Sequence, residues 1–237
     1  MAPEPYIFFD VDHTLVEWTV SWASVFAQVA REAGVEVSPE RAVEELERAF
    51  GTAYDELVRK HAVTSDERAF WLEYDGHVLS LLGVEGDTGE HAGKVVELLA
   101  RPRSVRLFPE VQDSLESLRA SGARLGIVTA RPLAGPDLEA LGVRHYFDPV
   151  IDAFHAGGAK RGGRMFQLAA KHAAEAGRAA WHVGDSYEDD VEGARSAGLL
   201  PILVDRDQRH QVADCPRVAD LRGVAGITVE GHAGVDR

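Results

Sequence analysis

Cysteine is nearly absent from the chain, since Cys215 is the only one among 237 residues. A single cysteine excludes an internal disulfide and any zinc site built from several cysteines. Long hydrophobic runs are also lacking, because no apolar stretch approaches the ~20 residues that cross a bilayer. The apolar run Tyr6–Phe9 stops at Asp10 and has no basic lead-in, so we expect no signal peptide and a cytoplasmic location.

Positive charge is scarce as well. The chain has 25 basic and 39 acidic residues, which gives a formal net charge of −14. Nucleic-acid-binding proteins and proteins that bind anionic membrane surfaces carry a basic patch, so we expect neither partner. With 45% hydrophobic residues the chain is long enough to bury a core of one or two domains. Nothing in the sequence indicates the oligomeric state.

The hydrophobic periodicity changes twice along the chain. A short apolar strand at Tyr6–Phe9 is followed by helical periodicity over residues 16–103. Strands and helices then alternate, which predicts an α/β fold with a doubly wound parallel sheet and a helical insert after the first strand. The strands are predicted at Tyr6–Phe9, Arg124–Thr129, Pro149–Ala153, Ala180–Val183 and Pro201–Val204. The helices are predicted from about Trp18, from Ser38, and at Ser65–Leu82, Gly89–Ala100, Pro109–Ala120, Pro136–Leu141, Arg164–Ala176 and Glu188–Ala197.

Two carboxylates follow the first strand. Asp10 and Asp12 are two residues apart, and side chains with this spacing point the same way from a strand. One carboxylate can attack phosphorus as a nucleophile while a second protonates the leaving oxygen. The alternative is that Asp12 only caps a turn.

Thr129 and Lys160 carry groups that suit a phosphate. Thr129 ends a strand, so its hydroxyl would lie at the same edge of the sheet as Asp10, although threonine is common in strands for other reasons. Lys160 lies in a glycine-rich loop and is one of only four lysines among the 25 basic residues. A compact ammonium group there suits a phosphate, and the alternative is a solvated surface lysine.

A third acidic group follows the strand that ends near Val183. The run Gly-Asp-Ser-Tyr-Glu-Asp-Asp at 184–190 places Asp185 at the strand end and Asp190 in the turn of a helix. Hard carboxylate oxygens of this kind suit Mg²⁺. The alternative is an acidic helix start favoured by the helix dipole, which suits Asp189 in particular.

Taken in chain order, these segments resemble the four motifs of the haloacid dehalogenase-like hydrolase superfamily. They are Asp-Val-Asp-His-Thr at 10–14, a strand ending in Thr129, the loop residue Lys160, and Gly-Asp-Ser-x-x-x-Asp at 184–190. The resemblance covers about residues 5–15 and 104–225, and the helical middle matches only in kind. Position 13 departs from the pattern, because it is His where the family often has Gly.

The resemblance implies a Mg²⁺-dependent phosphatase that acts on a small phosphorylated substrate through an aspartyl-phosphate. Asp10 would be the nucleophile and Asp12 the general acid and base. Thr129 and Lys160 would bind the phosphoryl oxygens. Mg²⁺ would be held by Asp10, the backbone carbonyl of Asp12, Asp185 and Asp190. The family also implies that residues 16–103 form a helical cap on a catalytic core of residues 1–15 and 104–237.

Three other functions share parts of this pattern. The dehalogenases of the superfamily lack the second carboxylate, so Asp12 favours phosphate over halide. A phosphomutase would use both carboxylates and isomerise a sugar phosphate. Receiver modules of response regulators hold an aspartyl-phosphate with similar groups in a different order and without a long insert. Neither the substrate nor the insert residues that select it can be read from the sequence.

Overall fold

A six-stranded parallel sheet forms the centre of the fold. The computed structural model describes residues 5–100, 104–160, 163–210 and 214–232, with side chains as far as 228. The sheet order is β5-β4-β1-β6-β7-β8. The strands are β1 (Tyr6–Phe9), β4 (Arg124–Val128), β5 (Phe147–Ile151), β6 (Ala180–Gly184), β7 (Leu200–Val204) and β8 (Arg217–Val218). The predicted α/β fold class is confirmed.

Strand β1 lies between β4 and β6, and its wholly apolar sequence suits a strand buried on both faces. All four of its side chains are fully buried, and Phe9 is in register with Ile127 on one side and Val183 on the other. Parallel pairing brings the carboxyl ends of β1, β4 and β6 to one edge of the sheet. That edge therefore receives the loops that begin at residues 10, 129 and 185.

Helices follow most of these strands. They are α6 (Val111–Ala120), α7 (Ala134–Ala140), α9 (Arg164–Glu175), α10 (Gly193–Ser196) and α11 (Val224–His232). The helix predicted at Glu188–Ala197 is instead a wide π-helical turn, Tyr187–Glu192, followed by α10. The sequence did not predict β8, because a two-residue strand has no periodic signal, and it did not predict α11 either. Within the described ranges, every helix falls short of the length and apolarity that spanning a bilayer requires.

The insert after β1 is helical. Its helices are α1 (Trp22–Glu32), α2 (Pro39–Thr52), α3 (Tyr54–Ala62), α4 (Glu67–Leu81) and α5 (Gly89–Leu98). The first helix was predicted from about Trp18, which is wrong, because Trp18 ends the short strand β2 (Val16–Trp18) and Ser21 caps α1. Strand β2 pairs with β3 (Val105–Leu107) in a separate two-stranded sheet.

The chain divides into two compact units. One comprises Met1–Glu17, Leu107–Asp152 and Lys160–Arg237, and the other comprises Trp18–Arg106 and Ala153–Ala159. The second unit contains the insert helices together with α8 (Ala153–Ala156). The sequence pattern did not predict that residues 153–159 pack with the insert helices. The cap and core functions of these units, with bounds at 15 and 103, remain a prediction.

The close contact of β4 with β1 generates a stability prediction. A Cβ at Gly126 would lie 2.7 Å from two ring atoms of Phe8, which is fully buried and cannot move aside easily. We expect Gly126→Ala to lower the free energy of unfolding by about 1–3 kcal/mol. A Cβ at Gly51 in α2 would meet no neighbouring atom within 4 Å, so Gly51→Ala is the matched control and should stabilise by about 0.5–1 kcal/mol. Urea unfolding measures both, and equal effects would contradict the packing argument.

Candidate active site

Asp10 is the first residue beyond β1. Its backbone N–H donates to the carbonyl of Val183 at 2.9 Å. The hydrogen bonding between β1 and β6 therefore extends to Asp10 and fixes the position of its backbone. Its side chain is buried, with 5% of the residue exposed. Burial raises the pKa of Asp10, and the carboxylates of Asp190 and Asp185 raise it further against the opposing effect of Lys160.

Lys160 joins two of the buried carboxylates. Its ammonium group donates to Asp10 and, at 2.6 Å, to Oδ1 of Asp190. Burial alone would lower the pKa of Lys160, but the two carboxylates outweigh burial and raise the pKa above its ordinary value. Lys160 therefore stays charged and supplies one positive charge to the cluster.

Asp190 reaches this cluster because strand β6 ends in glycine. A Cβ on Gly184 would lie 2.1 Å from Cγ of Asp190, so the carboxylate occupies the space a side chain would fill. Its Oδ2 accepts the backbone N–H of Ser186 at 3.0 Å, and its Oδ1 contacts Nε2 of His182 at 2.8 Å. Burial would raise the pKa of Asp190, but Lys160 and His182 hold it well below its usual range.

His182 was not predicted as a site residue. It lies on β6 and is fully buried, and burial lowers its pKa, so the imidazole is neutral. A neutral imidazole that donates to Asp190 must carry its proton on Nε2. Nothing in the sequence distinguishes this residue from an ordinary core position of a strand.

Asp185 follows Gly184 and shares the cluster. Burial, followed by the charge of Asp190, raises the pKa of Asp185 to about 6, while His13 and Lys160 oppose the shift. Carboxylate oxygens of Asp10, Asp185 and Asp190 lie within 4.8 Å of one another. One lysine does not neutralise three carboxylates, and the donor set consists of hard oxygens, so these residues fit a divalent cation such as Mg²⁺.

Asp12 faces a different partner. Arg131 donates from Nε to Oδ2 of Asp12 at 3.1 Å and from Nη2 to its Oδ1, and from Nη1 to Asp137 at 2.9 Å. The Arg131 side chain is 1% exposed and that of Asp12 is 33% exposed. The sequence reasoning missed Arg131, although its place two residues after Thr129 is a positional signal.

Thr129 lies at the carboxyl end of β4, beside β1. Its N–H donates to the carbonyl of Ile151 at 3.0 Å, and its hydroxyl oxygen accepts the backbone N–H of Arg131 at 3.3 Å. The residue is 1% exposed. The hydroxyl therefore helps to shape the loop that carries Arg131.

The loop after Asp12 is held by a residue from the far end of the chain. His13 has a φ of 59°, a conformation that favours glycine. Arg206 donates to the carbonyls of His13 and Thr14, at 3.3 and 2.8 Å, and its guanidinium lies 3.5 Å from the ring centre of Phe108. These bonds support the loop where the family often has glycine. Arg206 is a second residue that the sequence reasoning did not identify.

The structure brings together four of the six predicted site residues through their side chains. Asp10, Lys160, Asp185 and Asp190 form one buried cluster, whereas the carboxylate of Asp12 pairs with Arg131. Asp189 lies outside the group that could hold a metal, and its N–H donates to the hydroxyl of Ser186 at 3.1 Å. Thr129 lies at the same edge of the sheet on the neighbouring strand.

The chain is similar to known hydrolases over most of its length. A haloacid dehalogenase-like hydrolase family model matches residues 5–198. Haloacid dehalogenase-like hydrolase domain-containing protein 3 of Homo sapiens is 30% identical, over 83% of this chain and 80% of the relative. Phosphoserine phosphatase of Thermus thermophilus is 28% identical, over 92% of this chain and 96% of the relative. A 2-haloacid dehalogenase structure from Pseudomonas syringae pv. Tomato superimposes with a TM-score of 0.66 at 26% identity, over 96% of this chain and 99% of the dehalogenase.

The crowding of carboxylates generates a prediction for the metal-free protein. Because the pKa of Asp185 is raised to about 6 in the folded protein from the 3.8 of an unperturbed aspartate, the folded state binds the proton more tightly than the unfolded state. The contribution of Asp185 to stability therefore falls as the pH rises from about 4 to about 6. Asp185→Asn should remove this loss and stabilise the protein by about 2 kcal/mol near pH 7.5 but not near pH 4.

Urea unfolding in EDTA across this pH range measures the effect. Asp189→Asn is the control, because Asp189 lies outside the cluster, and it should change stability by less than about 0.5 kcal/mol. A gain for Asp185→Asn that is the same near pH 4 and near pH 7.5 would show that carboxylate repulsion is not its cause.

Proposed function

The chain belongs to the haloacid dehalogenase-like hydrolase family, and on this basis we propose that it is a Mg²⁺-dependent phosphohydrolase acting on a small phosphorylated metabolite. One observation carries the proposal: Asp10 is buried beside the ammonium group of Lys160 and next to two further carboxylates. The similarity to a phosphoserine phosphatase over nearly its whole length supports a phosphate monoester as substrate.

In the first step, an oxygen of Asp10 attacks the phosphorus of the substrate. The bond from phosphorus to the leaving oxygen breaks, and an aspartyl-phosphate forms on Asp10. In the second step, water attacks the same phosphorus and breaks the acyl-phosphate bond. This step releases inorganic phosphate and restores the Asp10 carboxylate.

Asp12 serves both steps as a general acid and base. It protonates the leaving oxygen in the first step and accepts a proton from water in the second. Its two oxygens accept hydrogen bonds from Arg131, which is itself fixed by Asp137. Arg131 therefore sets the direction in which the Asp12 carboxyl group can point.

Lys160 and Thr129 would bind phosphoryl oxygens, with Lys160 supplying charge and Thr129 a hydroxyl. The metal would be held by the carboxylates of Asp10, Asp185 and Asp190 and by the backbone carbonyl of Asp12. When bound, Mg²⁺ would neutralise the charge of the phosphate dianion and the carboxylates around it. Among the described residues, Oδ2 of Asp190 accepts one N–H, from Ser186, and its second lone pair would then serve the metal.

Two alternatives come from the same superfamily. A phosphomutase would use both carboxylates and yield an isomeric sugar phosphate instead of free phosphate. A dehalogenase is the less favoured alternative, because Asp12 supplies a second carboxyl group that halide release does not need. A panel of phosphorylated metabolites and 2-haloacids, assayed for phosphate, isomer and halide, separates the three reactions.

The metal ligands generate one prediction. Chelation of Mg²⁺ should abolish phosphate release. Asp185→Asn should raise the Mg²⁺ concentration for half-maximal activity at least about tenfold, because even the loss of a group that only supports a metal ligand costs about 10–100-fold in metal affinity. Asp189→Asn is the matched control, since it removes a neighbouring carboxylate outside the metal group. Equal effects of the two variants on the Mg²⁺ titration would contradict the assignment of Asp185.

The two carboxylates of the first motif generate another prediction. Asp10→Asn should abolish turnover without a phosphoenzyme, because an amide is a poor nucleophile. Asp12→Asn should lose about 10²–10⁴-fold on an alkyl phosphate. With p-nitrophenyl phosphate, whose leaving group needs little protonation, the same variant should give a burst of p-nitrophenol followed by slow turnover.

Stopped-flow absorbance and acid-quench mass spectrometry of the Asp12→Asn protein test this assignment. The burst should coincide with aspartyl-phosphate accumulating on Asp10, because only the second step then lacks its base. If Asp12 only capped a turn, the variant would be less stable, and both substrates would be affected alike. Equal losses on the two substrates in a folded protein without phosphoenzyme would overturn the acid–base role.

A further inference from the structure

The segment that leads into Lys160 belongs to the same compact unit as the insert helices. Residues Ala153–Ala159 pack with the insert helices, and Lys160 is the next residue along the chain. The ring of Phe154 in α8 lies edge-on against Phe70 of α4, with 5.7 Å between ring centres. The residues just before Lys160 are therefore packed against the insert helices.

Asp55, in the first turn of α3, contacts the residue immediately before Lys160. Its Oδ1 accepts the backbone N–H of Ala159 at 2.7 Å, across 104 residues of sequence. A Cβ on Gly158 would lie 3.3 Å from the same oxygen, so a glycine at 158 leaves room for the carboxylate to approach. Gly157 has a φ of +75° and donates its N–H to the carbonyl of Ala153, which turns the chain towards this contact.

We propose that Asp55 is a positioning residue for Lys160, and this inference rests on the phosphohydrolase function proposed above. Lys160 must place its ammonium group between Asp10 and Asp190 while its own stem has four flexible bonds. Asp55 fixes the peptide N–H immediately before it with a charge-assisted hydrogen bond. A small displacement of the Lys160 backbone would misplace the ammonium group, and rates are sensitive to such misplacement.

Substitutions of Asp55 test this role through kinetics. Asp55→Ala should lower kcat about tenfold and raise the inhibition constant of inorganic phosphate by a similar factor. Asp55→Asn should stay within about threefold of wild type, because its amide oxygen can accept the same N–H. Gly158→Val, whose side chain would occupy the place of the carboxylate, should reproduce Asp55→Ala and serves if that variant does not fold.

Asp66 provides the matched control. Its Oδ1 accepts the backbone N–H of Ala69 at 2.9 Å, so Asp66 caps the start of α4 and does not hold the segment before Lys160. Asp66→Ala should lower the melting temperature about as much as Asp55→Ala and leave kcat and phosphate inhibition unchanged. Equal kinetic losses for the two variants would reduce Asp55 to a merely structural role.

A measurement without catalysis separates this inference from the proposed function. Acetic anhydride followed by peptide mass spectrometry reports how well Lys160 is shielded, with the exposed Lys171 as internal reference. Lys160 should be acetylated faster in Asp55→Ala than in wild type, and not in Asp66→Ala. Unchanged labelling in Asp55→Ala would overturn the role of Asp55. A wild-type protein that releases no phosphate from any substrate would instead overturn the proposed function.

Discussion

The buried ammonium group of Lys160 is the interaction on which the rest of the site depends. Without it, Asp10 and Asp190 would be two buried carboxylates with no cation among the described side chains that contact them, an arrangement that costs several kcal/mol per charge. With it, one positive charge faces three carboxylates, and the cluster remains negative. The ammonium group therefore compensates part of the charge of the carboxylates, and the negative charge that remains favours a divalent cation.

The sheet supplies the rigidity that this balance requires. Asp10 continues the hydrogen bonding of β1 to β6, so its backbone cannot shift without breaking the ladder, and Asp185 is the first residue after β6. Gly184 then opens the space into which the wide turn returns Asp190. His182, from the same strand, donates to that carboxylate. One strand thus provides a carboxylate, the space for a second one and a donor that orients it.

Features that produce a local and regular sequence pattern could be predicted, whereas contacts between distant residues could not. The burial of β1 and the shared sheet edge of Asp10, Thr129 and Asp185 follow from apolar runs and from parallel pairing, which are local and regular. The partner of Asp12 does not, because Arg131 reaches it across 119 residues from a loop whose path no periodicity records. The short strands β2 and β8 have two or three residues, too few to show any alternation.

The separation of Asp10 from Asp12 shows what the fold adds to a two-residue spacing. The spacing indicates two carboxylates on one side of a strand, and it treats them as equivalent. In the structure Asp10 is buried against an ammonium group, whereas Asp12 is one-third exposed and bound by a guanidinium that Asp137 holds in place. Carboxyl groups in such different surroundings are suited to different tasks. The difference in role between nucleophile and acid–base would then originate not in the motif itself but in Lys160 and Arg131, residues that the chain delivers from two other loops.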